Sequence, residues 1–494
     1  MTIKPNIFVF MTDQQRGDTL TDPRIIMPNI RSLMREGVHF ENTYCPSPHC
    51  CPSRASFFTG LYPSQHGVWN NVCVQNTLSK GLNPGTELFP SLLDAKGYDM
   101  YYAGKWHVCS QTGPEDYGFK ELHVTNNKIT KDDPTIALMS PGWEMYQNLA
   151  AQLETQETAP KKEGEIRRKG YPEYVHYGLD ENPFDDMGVI DSALSQIANI
   201  EDGGAPWMMY IGTLGPHDPY IVPQRFLDMY KDIEIALTDI HFDTLKDKPT
   251  LYRRTQRLFN QLSIKEKKEA IRHYMAFCTY EDYLFGLVLD QLKTREDYND
   301  TLILFTSDHG DYNGEHGLWC KGLPAFKGGY HIPAVMSWKN GIKNPGRTVA
   351  EFVSLADFSP TFTELLGEDV AENVVGQSLL PFINDTKPSE WRDYMFTQTN
   401  GNEVYGIQRT VFNHSWKLVH NTFDEDELYD LANDPDELTN LFGSESDLTQ
   451  QAKKELFKQM WSFASKTEDQ SLNPYIMVGL AEFGPAYAYS TQEG

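Results

Sequence analysis

The sequence predicts an α/β fold, with a large mixed, mostly parallel sheet sandwiched by helices and a smaller C-terminal α+β subdomain. Three observations carry this expectation. Short apolar runs bounded by turn residues recur along the chain, with helix-period stretches between them. The runs are continuous rather than alternating, as strands covered on both faces must be. After Leu380 the texture changes to shorter strand-like pieces and one amphipathic helix. A chain of 494 residues accommodates this division, placed at 1–385 and 386–494.

The elements follow in order. Buried strands are expected at Asn6–Met11, Tyr98–Ala103, Trp207–Gly212, Leu302–Thr306 and Ala334–Trp338. Pro28–Glu36 sets Ile30, Leu33 and Met34 on one helical stripe. Lys265–Leu292 repeats the pattern with Ile271, Tyr274, Met275, Cys278, Phe285, Val288, Leu289 and Leu292 at three- and four-residue steps. Strand-helix alternation implies right-handed crossovers. Residues 118–204 contain several prolines and the run KKEGEIRRKG (161–170), and read as an insertion near the active-site mouth, the charge run being a solvated surface. Strand pieces at Trp416–Val419 and Glu427–Leu428, a turn at Asn433-Asp434-Pro435 and a helix near Lys453–Phe463 make up the C-terminal subdomain. The tail from Leu472 carries Tyr475, Phe483, Tyr487 and Tyr489, and is expected to pack on its own domain or on a partner subunit, giving a homo-oligomer.

Composition excludes several classes. With 40% hydrophobic and 12% aromatic residues the chain can bury a large core, so it is not disordered or fibrous. The net charge of −26 repels polyanions, so nucleic-acid binding through a basic face is not expected. An anionic substrate must therefore meet a local cluster of cations. No window approaches the roughly 18 consecutive apolar residues of a membrane span, so no membrane partner is expected. The N-terminal segment MTIKPNIFVFMTDQQ has neither a long apolar stretch nor a small-residue cleavage site. The seven cysteines (45, 50, 51, 73, 109, 278 and 320) include no C-x-x-C pair, which fits a reducing compartment. A soluble, cytoplasmic enzyme is the expectation, or a periplasmic one had a leader been trimmed.

Ligands in open parallel sheets collect at the carboxyl ends of strands. Two strands here run into acid-led motifs, Thr12-Asp13-Gln14-Gln15-Arg16 and Ser307-Asp308-His309-Gly310-Asp311. Brought together, Asp13 and Asp308 with Gln14 and His309 would make an oxygen-rich pocket for a hard divalent cation. An acid after a strand also serves as a helix cap, so the pair counts for more than either motif alone.

The segment Cys50-Cys51-Pro52-Ser53-Arg54, closing with Thr59-Gly60, resembles the signature of the formylglycine-dependent sulfatases of the alkaline phosphatase superfamily. The resemblance extends along most of the chain, through Asp13, Met27–Tyr44, Gly104-Lys105-Trp106-His107, Gly215-Pro216-His217, Asp308-His309-Gly310, Glu315-His316-Gly317, Glu427–Leu431 and Asp434-Pro435. An isolated cysteine pair would read as core packing; its company in this order does not. The resemblance implies that Cys50 is oxidised to formylglycine by a maturation enzyme and that its hydrated aldehyde is the nucleophile. It implies one divalent ion, Ca²⁺ before Mg²⁺ or Mn²⁺, on Asp13, Gln14, Asp308 and His309. His309 stands where many relatives have Asn, a feature shared with the phosphonate monoester hydrolase branch, and leaves the metal open.

The remaining roles follow from the resemblance and from chemistry. Arg54, one helical turn beyond Cys50, would orient the hydrated aldehyde. Lys105 would bind sulfuryl oxygens, and His107, at i+2 on a strand and so on the same face, would take the proton that expels sulfate from a covalent sulfo-enzyme. His217, in an exposed turn, would protonate the leaving alcohol. Lys321 fits the second sulfate-binding lysine, with Lys327 as competitor. Asn71 is either a substrate contact or a turn asparagine. His66 and His316 read as structural, and His331 stands where many relatives have Arg. Trp69, Trp106 and Trp319 are either a sugar-stacking platform or buried aromatics. The expected activity is hydrolysis of a sulfate ester, on a saccharide or aryl group, with phosphonate monoester or phosphodiester hydrolysis as the alternative on the same scaffold. A catalytically dead binding protein on this fold would lack Cys50, Arg54 or Asp308, and all three are present.

Overall fold

A computed structural model describes residues 4–72, 77–125, 143–153, 159–402 and 404–490. Eight strands form the main sheet: β1 (Asn6–Thr12), β2 (Val38–Tyr44), β3 (Asp99–Lys105), β4 (Lys120–Thr125), β5 (Trp207–Gly212), β6 (Thr301–Ser307), β7 (Ala334–Ser337) and β8 (Arg347–Ser354). Their spatial order is β8-β2-β7-β6-β1-β5-β3-β4. All pairings are parallel except those of β7, which runs against both β6 and β2. The run expected at Ala334–Trp338 is thus a strand, but of opposite direction. Its continuous apolarity reflects burial on both faces, which does not depend on direction.

The alternation along β1 divides two cores. Ile7, Val9 and Met11 join one apolar cluster, and Phe8 and Phe10 the other. The first is covered by α2 (Cys50–Thr59), including Phe57 and Phe58. The second is covered by α1 (Pro28–Glu36), α3 (Asp186–Asn199) and α4 (Ile264–Lys293). Helix α4 starts at a capping box, with Ser263 accepting from Glu266 N at 3.2 Å, and presents its expected apolar stripe to the sheet.

Two parts of the 118–204 stretch belong to these layers, since β4 is the sheet edge and α3 packs against α4, β3 and β4. Within the charge run, Glu165 and Ile166 are buried while the flanking lysines are exposed. A second, antiparallel sheet comprises β9 (Met395–Gly401), β10 (Tyr405–Phe412), β11 (Trp416–Asn421) and β12 (Glu427–Asp430), backed by α5 (Asp447–Lys466). Trp461 and Phe457 hold the returning tail, Trp461 Nε1 donating to the Phe483 carbonyl at 2.8 Å. Six described cysteines are free; Cys73 lies outside the described residues. Among the described residues no helix is long and apolar enough to cross a membrane.

Candidate active site

Parallel pairing of β1 and β6 sets Thr12 beside Ser307, so Asp13 and Asp308 emerge next to each other at the carboxyl edge. Asp308 N donates to the Thr12 carbonyl (3.2 Å), and Gln14 N to Asp308 Oδ1 (3.2 Å). Cys50 is delivered from the other side as the first residue of α2, where orphan N–H groups give the helix its positive end. No side chain of the preceding residue caps that end. Asn71 does so from a distance, Oδ1 accepting from Cys51 N at 3.0 Å, while Asn402 of the C-terminal sheet accepts from Asn71 N at 2.9 Å.

The three segments converge on one point. Cys50 Sγ lies 3.2 Å from His309 Nε2 and 3.8 Å from Asp13 Oδ1. His309 Nε2 is itself 3.5 Å from Asp13 Oδ1 and 3.6 Å from Asp308 Oδ1. Its Nδ1 faces the Gly310 carbonyl at 3.0 Å, and this contact aims Nε2 at Cys50. Asp13, Cys50, Asp308 and His309 each offer a donor atom within 4.8 Å of the others, and all four are buried. Two carboxylates and an imidazole with an oriented outer nitrogen fit a divalent cation.

Cations ring this cluster. Lys105, the last residue of β3, donates to Asp13 Oδ2. Arg54 donates from Nε to Asp308 Oδ2 (2.8 Å), places Nη2 at 3.7 Å from Asp13 Oδ2, and contacts Tyr210 Oη at 3.2 Å. Its guanidinium holds the two acids together from behind Cys50. Lys321 donates to Gln14 Oε1 at 2.6 Å and meets His217 Nε2. Burial and the neighbouring Cys50 would raise Asp13, but Lys105, His217 and His309 override them and bring it to about 2. Burial would likewise raise the Cys50 thiol; Lys105, Lys321, His309 and a hydrogen bond from His107 instead hold it well below its ordinary value. Lys105 and Lys321 keep their protons despite burial, through Asp13 and Cys50.

Several expectations are corrected in detail. His107 reaches Cys50, but not by strand alternation: β3 ends at Lys105 and the backbone turns at His107 (φ 53°). His217 is not an exposed turn residue, its side chain being only 14% accessible. Lys321, and not Lys327, stands at the site; Lys327 lies beside Asp18 and Glu437. The Gln14 amide is committed to Lys321 through Oε1, and through Nε2 to Asp311 (2.6 Å) and Asp218 (3.1 Å). Trp106 and Trp319 are core residues and form no platform, whereas Trp69 is partly open and lies 5.2 Å from the Arg409 guanidinium. His66 bonds Ser56 (3.1 Å) and His316 bonds Asp243 (2.8 Å), both structural. His331 donates toward the Glu41 carbonyl (2.7 Å) and stays below its ordinary value through burial.

Asp218, the residue after the Gly215-Pro216-His217 motif, and Asp311, which closes the second acid-led motif, also reach the Gln14 amide. Asp218 accepts from Tyr174 at 2.9 Å, and Asp311 from Tyr220 at 2.7 Å. Burial lifts Asp311 to about 6. For Asn402 and Tyr405 no local signal exists, because they reach Asn71 and Asn70 only after the two sheets pack.

A buried cysteine at a helix start, beside two carboxylates and an imidazole and faced by two lysines and two histidines, thus stands at the strand ends of an alkaline phosphatase-like fold. The sulfatase family description matches residues 5–368, and the C-terminal description of N-sulphoglucosamine sulphohydrolase matches residues 314–466; the chain belongs to the sulfatase family and is a sulfuric ester hydrolase. It is 28% identical to a choline-sulfatase of Rhizobium meliloti (strain 1021), over 93% of this chain and 86% of that protein. It is 26% identical to an N-acetylglucosamine-6-O-sulfatase of Bacteroides thetaiotaomicron, over 95% and 87%. Among solved structures, the phosphonate monoester hydrolase of Agrobacterium radiobacter superposes with TM-score 0.75 at 20% identity, over 97% of this chain and all of that one. A protein solved with its substrate D-glucosamine-2-N,6-O-disulfate gives 0.72 at 20% identity, over 94% and 99%.

Proposed function

We propose that this chain is a formylglycine-dependent sulfatase acting on a sulfated saccharide, with residue 50 as nucleophile and Asp13, Asp308 and His309 holding one divalent cation. The observation that carries this reading is the placement of Cys50 Sγ within reach of all three ligands, at the N-terminus of α2 and inside a ring of lysines. Residue 50, once converted by a separate maturation enzyme, would supply a hydroxyl oxygen, and a divalent cation held by Asp13, Asp308 and His309 would supply Lewis-acid activation of it. Ca²⁺ suits the carboxylates, and the imidazole of His309 also admits Mg²⁺ or Mn²⁺.

The chain's own groups divide the work. Lys105 and Lys321 bind the sulfuryl oxygens and oppose the charge that develops there. Arg54 fixes both metal-binding carboxylates. His217 donates a proton to the leaving oxygen, and Lys321 at its Nε2 helps place it. His107 accepts a proton from residue 50. A saccharide is favoured by the mouth, where Asn70 and Asn71 meet Tyr405 and Asn402 of the second sheet, Trp69 lies beside Arg409, and Tyr174 comes from the 118–204 stretch. The exposed apolar run Tyr475–Leu480 supports association of copies through the tail. Substrate class is tested by a hydrolysis screen over sulfated mono- and oligosaccharides, aryl sulfates and choline sulfate. Release of sulfate from none of the saccharides would remove that part of the reading.

A second reading rests on His309 beside the two acids: phosphonate monoester or phosphodiester hydrolysis, since phosphoryl and sulfuryl groups spread charge over similar oxygens. Parallel kcat/KM values on the three ester types decide between them. A phosphonate value well above the sulfate value would reverse the order.

A further inference from the structure

Behind the catalytic cluster lie two acids that the reaction does not use. Asp186, at the start of α3, is 1% exposed, and its two oxygens accept from Leu214 N and Gly215 N, each at 2.8 Å. That loop is stitched to the end of β1: Thr213 N donates to the Met11 carbonyl (3.1 Å), and the Gly215 carbonyl accepts from Asp13 N (3.1 Å). Two residues on, the same loop carries His217, whose N–H donates to the Leu214 carbonyl at 3.1 Å. One carboxylate therefore grips the segment that fixes the backbone of a metal-site acid and presents the candidate proton donor.

Glu281 on α4 is fully buried, and among the described residues only the Thr213 side chain stands to hydrogen-bond its carboxyl group. It presses on the same loop: a Cβ at Gly215 would lie 2.0 Å from Glu281 Oε1 and 2.5 Å from Phe277 Cε2, so only glycine fits there. The groups facing the pair are Asp13 and Asp185 toward Asp186, and Thr213, the Cys278 thiol and the Tyr280 phenol toward Glu281, and none of these is a cation. Burial lifts Asp186 to about 7, and burial with the Asp186 charge lifts Glu281 well above the carboxylate range. Two N–H donors favour the charge on Asp186; Glu281, with the Thr213 side chain alone beside it, keeps the proton.

We propose that Asp186 is a positioning residue for the reaction, clamping the 213–217 loop so that Asp13 and His217 are set together, with Glu281 as its neutral backstop. The inference rests on the role given above to His217. Asp186→Asn replaces one acceptor by an N–H₂ group facing an N–H and releases one grip. The expected result is a fall in kcat on the order of 10²-fold for an alkyl sulfate, with KM nearly unchanged and a smaller fall for 4-nitrophenyl sulfate, whose leaving group needs no proton. His217→Ala, measured in parallel, should show the same leaving-group dependence. A steep His217→Ala profile beside a flat Asp186→Asn profile overturns the positioning role.

If His217→Ala is flat, the acid assignment fails and the clamp is judged on Glu281→Gln, as it also is if Asp186→Asn does not fold. That neutral isostere should keep near-wild-type kcat at neutral pH and lack the alkaline decline expected of wild type as Glu281 ionises against Asp186. An unchanged alkaline limb, or inactivity at every pH, overturns the proposal.

Discussion

The carboxyl edge of the main sheet and the mouth above it are built on different rules. At the edge the charges are paired at short range, the backbone sets the spacing, and the side chains are buried apart from the partly open His217 and Lys321. At the mouth the contacts join distant parts of the chain: Asn71 to Asn402, Asn70 to Tyr405, Trp69 to Arg409, and Tyr174 to Asp218. The difference is one of origin: strand ends and one helix start assemble the acid and lysine cluster, whereas the surrounding contacts depend on how the second sheet and the 118–204 stretch pack against it.

The comparison can be broken at either end. The largest effect is expected at the edge. Cys50→Ala should cost on the order of 10⁴-fold or more in turnover while substrate still binds, as followed by steady-state kinetics and by calorimetric titration of the inactive variant. Residual turnover within tenfold of wild type would dissolve the nucleophile assignment. Lys321→Ala should lower kcat about 10²- to 10³-fold, because it removes a donor to sulfuryl oxygens and a neighbour of His217; Lys327→Ala should stay within about twofold. Equal losses from the two lysines would contradict the geometry.

Next comes the cation. Adding Ca²⁺ to the metal-stripped chain at about 100 times its Kd should raise stability by about 2.7 kcal/mol, and the gain should vanish in Asp308→Asn, as read by denaturant midpoints. At the mouth the effects shrink and change character. Tyr405→Phe should raise KM for a saccharide substrate about two- to fivefold and leave kcat on a small aryl sulfate unaltered. A loss of kcat on both substrates would show that mouth and edge are not separable.

The smallest effect concerns pH. Asp186 is held at about 7 against an ordinary 3.8, and Glu281 is raised further, so between these values the folded chain binds protons that the unfolded chain has released. The contribution of this pair to stability should therefore fall as pH climbs from about 4 to 7, against the opposite trend of the buried His66, His176 and His331. In urea titrations the wild-type slope against pH should be more negative than that of Glu281→Gln.

Legibility in the sequence follows the same division. Trp207–Gly212 and Pro28–Glu36 coincide with their expected bounds, because continuous apolarity and a clean helical stripe are local properties. Strand β2 (VHFENTY) escaped because its outer half alternates with polar residues, and β9 (MFTQTNG) because it is largely polar and buried only by the packing of the two sheets. The edge residues Cys50, Asp13, Asp308, Lys105 and Lys321 were readable from motifs. The turn at His107 was not, since a positive φ on a residue other than glycine leaves no mark in the sequence. Asp186 looks like any acid at a helix start; only the fold shows that its acceptors serve another loop.

The central claim is that residue 50 works as an aldehyde hydrate rather than as a thiol. Mass spectrometry of the peptide containing Cys50, from active protein made in its native host, tests this directly. The account predicts a peptide lighter by the replacement of a thiol with a carbonyl, and trapped by a hydrazine reagent. An unmodified thiol at residue 50 in protein with full turnover would contradict it.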